Sequence, residues 1–232
     1  MTYHHKHVAI PLCIADRRPP IAVFWCMEED NLWPQYALSL PQSHRPIRYD
    51  ILSDCLPDTT TFTHFYISGS PFDVNSREVA QLRSYIQTVL NTADQERKIA
   101  GTCFGAQALA KWALDKTVFN AYSPEADVFK TILIDDKPYS AHFNHSWFIR
   151  ADAKPDWKIH SQRRIHVLDQ FAKVVNLSCV DVFSASLPGT HILGMIPHPH
   201  VMPKEGKSIA PLLADFFRVV PEAPCSAMPG KE

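Results

Sequence analysis

Residues Lys98 to Ala113 read K-I-A-G-T-C-F-G-A-Q-A-L-A-K-W-A, and this stretch decides the fold. Ile99 and Ala100 suit the end of a short buried strand. From Ala106 onward the residues are strong helix formers, with apolar positions at Ala106, Leu109, Ala110 and Ala113 in a helical period. Cys103 stands at the join, with Gly101 two places before it and Gly105 two places after. The spelling therefore predicts strand, sharp turn, helix, with the thiol at the turn. This is the nucleophile-elbow arrangement with sulfur in place of a hydroxyl. A tight strand-to-helix turn brings backbone against backbone, so a Cβ at either glycine would clash. A helix beginning just after Cys103 aims free N–H groups at the sulfur and favours thiolate. The same spelling also fits a buried, inert structural cysteine. The rest of the chain separates the two readings.

Composition narrows the field. The 232 residues suffice for one domain with a sizeable core. Apolar content of 46% and charged content of 20% are those of an ordinary globular protein. A formal net charge of −1 leaves no electrostatic footprint for nucleic acid or an anionic membrane. No apolar run reaches the roughly 18 residues of a membrane span, and no secretory signal is legible at the N-terminus, so the cytoplasm is the expected location. The six cysteines form no C-x-x-C pair and read as reduced thiols rather than a zinc or redox motif.

Outward from the elbow, the chain divides into an N-terminal extension (residues 1–20), a domain (21–220) and a C-terminal tail (221–232). His4, His5 and His7 lie in the extension, where an extended segment competes with a metal site. Ile21 to Met27 (I-A-V-F-W-C-M) is a continuous apolar run, the mark of a buried parallel strand. Glu28, Glu29 and Asp30 follow, as a solvated loop or a ligand contact. Leu32 to Leu40 suits a short helix and Ile47 to Leu52 a strand. Thr63 to Ser68 is a further strand, ending in Gly69-Ser70-Pro71-Phe72-Asp73. Ser76 is placed to cap a helix from about Arg77 to Asn91. After the elbow helix comes a β-rich region, an antiparallel excursion over about residues 128 to 185. His191 to Ile196 reads as a last buried strand, running into Pro197-His198-Pro199-His200, and an amphipathic helix over Ser208 to Val220 closes the domain. The expected fold class is α/β, a mostly parallel central sheet with helices on both faces.

Three features sit at strand ends: Gly69-Ser70-Pro71, Cys103 and His198. The C-terminal ends of parallel strands share one rim, so these segments can meet. A thiol and an imidazole are the minimum for an activated sulfur nucleophile, and backbone N–H groups near Gly69 and from Phe104 can hold an oxyanion. At His142 and His145 a loop histidine bonded to backbone competes with a role in the site.

In order and spelling the chain resembles the class I glutamine amidotransferases. Their elbow, G-x-C-x-G-x-Q, is matched by G-T-C-F-G-A-Q from Gly101 to Gln107. Their upstream glycine-rich strand end is matched by S-G-S-P-F-D from Ser68 to Asp73. Their G-x-Q-x-H-P-E segment is matched by G-M-I-P-H-P-H from Gly194 to His200. The Gly-Ser-Pro-Phe-Asp spelling also looks like the branch that contains stand-alone γ-glutamyl peptidases and the amidotransferase domain of GMP synthetase. The resemblance implies a flavodoxin-like fold and cleavage of a γ-glutamyl amide through a γ-glutamyl thioester, with no metal and no organic cofactor. It implies Cys103 as nucleophile, His198 as base and acid, and Gly69 and Phe104 as the oxyanion hole. Gln107, Asn144, Ser146 and Trp147 would contact substrate. The implied small-molecule partner is glutamine or another γ-glutamyl compound; the chain either supplies ammonia to a separate synthase or acts alone on γ-glutamyl amides.

The chain departs from the pattern where the third triad residue, a glutamate, is replaced by His200. A neutral imidazole can accept a hydrogen bond from His198 but lacks the charge that steadies an imidazolium. Ile196 and Pro197 also stand where the family has its glutamine, and Leu114-Asp115-Lys116 replaces the glycine pair after the elbow helix. A catalytically impaired protein of the same fold, with a regulatory or binding role, is the alternative.

Overall fold

The computed structural model describes residues 16–27, 30–52, 56–92, 95–152, 156–168 and 174–218. The His4, His5 and His7 segment, Glu28, Glu29 and the tail from residue 221 lie outside the described residues.

Strands β1 (Pro20–Trp25), β2 (Arg45–Asp50), β3 (His64–Ile67), β4 (Arg97–Thr102) and β9 (Thr190–Met195) form a parallel sheet in the order β2-β1-β3-β4-β9. The apolar run of β1 explains its place. From Ile21 to Trp25 every residue is fully buried, as an inner strand covered on both faces requires. Helix α1 (Trp33–Ser39) links β1 to β2, and helix α2 (Ala80–Asn91) links β3 to β4. These crossovers step in opposite directions along the sheet, so right-handed connections put their helices on opposite faces. Helix α3 (Phe104–Trp112) packs beside α2, and helix α4 (Ala210–Phe217) beside α1.

Between α3 and β9 the chain makes its antiparallel excursion: β5 (Val118–Ile134), β6 (Lys137–Arg150), β7 (Lys158–Leu168) and β8 (Val174–Leu187). β8 pairs antiparallel with β9 and carries β6 and β5 onward in the same sheet, while β7 also pairs with β8. The excursion therefore runs from residue 118 to 187, more than the alternation pattern marked. β5 is long but irregular, with register shifts between Asn120 and Glu125 and again between Glu125 and Val128. Those bulges break the two-residue alternation by which strands are recognised.

Two local expectations change. Ser76 does not cap α2. Its N–H bonds the Asp73 carbonyl in a turn, the helix starts at Ala80, and its N-cap Val79 makes no side-chain capping bond. His142 and His145, read as loop histidines, lie inside β6, as do Asn144, Ser146 and Trp147. Among the described residues no helix is long and apolar enough to cross a membrane.

Candidate active site

The elbow forms as its glycines require. Cys103 adopts φ 50° and ψ −112°, outside the regions open to most side chains. Such a backbone costs about 1–3 kcal/mol and persists where the surroundings over-determine it. Here they do. The Cys103 N–H bonds the Met195 carbonyl of β9 at 2.8 Å, and the Cys103 carbonyl accepts the Gln107 N–H at 3.1 Å. A Cβ on Gly101 would stand 2.4 Å from the carbonyl carbon of Gly105, and one on Gly105 would stand 2.2 Å from the Ile67 carbonyl oxygen of β3. Both glycines are demanded by backbone contact.

The end of β3 lies beside the elbow. Ser68 Oγ accepts the Cys26 N–H at 2.9 Å and donates to the Gly69 carbonyl, which ties β1 to β3 at the rim. A Cβ on Gly69 would lie 3.5 Å from Cys103 Cβ, 3.4 Å from His198 Cε1 and 2.9 Å from the Tyr36 hydroxyl. Thiol, imidazole and strand end thus border the same small space. His198 is carried there by the turn after β9, and its N–H bonds the His142 carbonyl of β6 at 2.9 Å.

These groups line a cavity of about 350 Å³, the size of a small-metabolite site. Gly69, Cys103, Gln107, Asn144, Ser146, Trp147 and His198 all border it, so seven of the nine residues singled out in the sequence meet at one place. Phe104 is fully buried behind the elbow and contributes its backbone N–H. His200 does not border this cavity. It lines a second, more apolar groove between α1 and α4.

Electrostatically the site is dominated by burial. Burial pushes the Cys103 thiol up to about 11, against the N–H groups of Phe104 and Ser70, which face the sulfur and favour thiolate. Among the N–H groups of the Gly69 loop, that of Ser70 is thus the one directed at the sulfur. Burial likewise pulls His198 down to about 3, reinforced by the fields of His200, His142 and His145 and opposed by the Asn144 carbonyl facing the ring. The Cys103 sulfur rests 3.8 Å from that same Asn144 carbonyl, and His198 Nε2 is buried without a hydrogen-bond partner. His200 is lowered to about 4 by burial and by His142. His198 and His200 meet edge to face, with centroids 5.2 Å apart, rather than through a hydrogen bond.

The wall contributed by β5 and β6, with its partners on β7 and β8, combines residues the sequence singled out with three that it did not, Glu125, Arg163 and Asp181. Gln107 Nε2 and His145 Nδ1 both donate to the Trp147 carbonyl, at 3.1 and 2.8 Å, which fixes the Ser146–Trp147 segment over the cavity. Glu125, at the β5 bulge, borders the cavity and is gripped by Arg163, Lys130 and His145. Burial raises its carboxyl, but these three partners outweigh burial and hold it well below the usual range. Arg163 also bonds Asp181 at 2.8 Å, and burial pushes the Asp181 carboxyl up to about 6. Nothing in the sequence marks this network, because the register shifts around Glu125 break the alternation that would announce the strand. Among the described residues no cluster of histidine, cysteine or carboxylate side chains is arranged to hold a metal ion.

No protein-family model matches the sequence, and no curated protein matches it. Solved structures do. A glutamine amidotransferase from Thermotoga maritima superposes with a TM-score of 0.53 at 13% identity, covering 79% of this chain and 77% of its own. The protein SMU.1228c superposes with a TM-score of 0.54 at 14% identity, covering 80% of this chain and 79% of its own. A glutamine amidotransferase from Methylobacillus flagellatus gives 0.50 at 15% identity, covering 80% and 71%. The parallel sheet, its helices and the antiparallel excursion thus make up the fold seen in these glutamine amidotransferases.

Proposed function

We propose that this protein cleaves a γ-glutamyl amide through a thioester on Cys103, with His198 as base and acid. The observation that carries the reading is the placement of Cys103, on a positive-φ elbow, and His198 around one cavity of metabolite size. His198 takes the thiol proton as sulfur bonds the carbonyl carbon, and the carbonyl electron pair moves onto oxygen. The N–H groups of Phe104 and of the Gly69–Ser70 loop receive that oxyanion. As the C–N bond breaks, His198 returns the proton to the departing nitrogen, which leaves as ammonia or an amine. Water then adds to the thioester, giving its proton to His198. The C–S bond breaks, and the sulfur recovers a proton. Gln107, Asn144, Ser146 and Trp147 position the glutamyl group. No step calls for a metal or an organic cofactor.

The product nitrogen goes either to a separate synthase or to solution. The test is ammonia or amine release from glutamine and from a panel of γ-glutamyl amides, by the isolated chain and by its Cys103→Ala and His198→Ala variants. Turnover that falls at least ~10³-fold in both variants supports the reading. Turnover that survives in Cys103→Ala sinks it. A second reading, a protein of this fold that binds but does not turn over, is favoured by one observation: His200 stands where a carboxylate would steady the imidazolium.

A further inference from the structure

The third position of the site is not simply missing its charge; a pair of stacked rings occupies it. Tyr36 of α1 is fully buried and stacks on His200, with ring centroids 3.7 Å apart and planes inclined by 27°. His200 in turn meets His198 edge to face at 75°. On its other side His198 meets His142 edge to face, with centroids 5.7 Å apart and planes at 74°. The His198 ring is thus wedged between two imidazoles, one of them backed by a phenol. The carboxylates on the β5–β6 wall are engaged elsewhere: Asp127 by His142 Nε2 at 2.8 Å, and Glu125 by His145, Arg163 and Lys130. The Cys103 sulfur points at the Asn144 carbonyl, an acceptor that a thiol can bond and a thiolate would be repelled by.

We infer that Tyr36 and His200 act as a stacked, uncharged positioning pair that replaces the triad carboxylate, so that the reaction starts from a neutral thiol and a neutral imidazole. This rests on the reading of Cys103 and His198 given above. In a carboxylate triad, charge holds the ring and stabilises its protonated form. Here ring packing holds it, and the groups facing it work against a resting charge: His142 and His145 from β6, His200 on its own turn, and the buried elbow. The proton therefore leaves sulfur only as the S–C bond forms, when the developing oxyanion offsets the imidazolium. Burial of all three rings supports the same assignment, since each favours its uncharged form. Tyr36 does not line the cavity of Cys103 and His198, and its ring stacks on His200. It acts through His200.

Two measurements on the full chain test this. The first is the rate of Cys103 alkylation by iodoacetamide from pH 5 to pH 10, read by intact mass with Cys103→Ala identifying the site. The wild type should speed up about tenfold per pH unit from pH 6 through pH 9, with no plateau. His200→Glu should alkylate at least tenfold faster at pH 7. A wild-type rate that stays constant between pH 5 and 8 is the mark of a preformed thiolate–imidazolium pair and overturns the neutral start. The second is a ¹⁵N-imidazole NMR titration. His198 and His200 should remain uncharged down to pH 5. Tyr36→Phe, which keeps the stacking ring, should leave both titrations in place. Tyr36→Leu should move the His200 titration upward by at least one pH unit. An unmoved His200 overturns the role of Tyr36; where Tyr36→Leu does not fold, Tyr36→Met serves. Neither measurement needs a γ-glutamyl substrate. Absence of turnover with both results as expected sinks the substrate reading alone, whereas a preformed pair with turnover sinks the neutral start alone.

Discussion

The two halves of the site are built by different physics. The elbow half is held by backbone on backbone: Gly101 against Gly105, Gly105 against Ile67, and the Cys103 N–H on the Met195 carbonyl. The imidazole half is held by side chains on side chains, with His198 between His142 and His200, Tyr36 behind, and Glu125, Arg163 and Asp181 beneath the β6 wall. The first arrangement tolerates almost no change of residue because nothing in it can give way. The second is made of side chains, which others of similar shape or charge could replace. The Cys103 geometry is therefore set by backbone contacts of the fold, while the surroundings of His198 are set by the side chains this chain carries.

The largest effect is expected at the elbow glycines. Gly105→Ala places a methyl group on the Ile67 carbonyl at 2.2 Å, backbone that cannot move without parting β3 from α3. It should cost about 3 kcal/mol or more, at or above the usual range for overpacking, and chemical denaturation would show it. On the other half, Arg163→Met leaves Asp181 buried without its cation and loosens Glu125. That should cost about 3–5 kcal/mol, whereas Arg163→Met combined with Asp181→Leu should recover much of the loss. Equal damage from the single and the double change would show that the network is not held as a pair.

A smaller effect separates the halves by pH. His198 and His200 are lowered to about 3 and about 4 by burial, and so is His64 at the start of β3, to about 4. Each is neutral in both folded and unfolded chains above pH 6.5. Below that the unfolded chain takes up protons that the folded chain refuses, so stability falls as pH drops from 6.5 toward 4. Asp181, raised to about 6, works the other way over the lower part of this window, but it is one group against three. The net slope should be on the order of 1–3 kcal/mol per pH unit near pH 5, since each pKa unit is worth about 1.4 kcal/mol. Melting temperature against pH reads it, and His64→Phe should flatten the slope without touching the site. Smallest of all, Gln107→Ala removes one hydrogen bond to the Trp147 carbonyl, about 1 kcal/mol, and should raise KM more than it lowers kcat.

This division also explains what could be read from the residues alone. The elbow was legible because its demand is local: two glycines flanking a cysteine at the join of an apolar strand and a helical period. The parallel strands were legible from continuous apolar runs such as Ile21 to Trp25. His198 was legible through its strand end and through the spelling around it. Tyr36 was not, because nothing near it in sequence marks it; α1 brings it against a turn from the far end of the chain. Glu125 was hidden by the bulges that aim it into the cavity, since they erase the alternation that would announce β5. Arg163 and Asp181 look like ordinary strand charges until β7 and β8 pair and bury them. The expected cap at Ser76 failed because the turn at Asp73 claims its backbone first.

The measurement that bears most directly on the account is intact mass of the full chain after exposure to a diazo-ketone analogue of glutamine, beside Cys103→Ala. One adduct is expected on the wild type, none on Cys103→Ala, and protection by the γ-glutamyl compound that turns over best. A folded wild-type chain that takes no adduct, or one labelled equally well without Cys103, would contradict it.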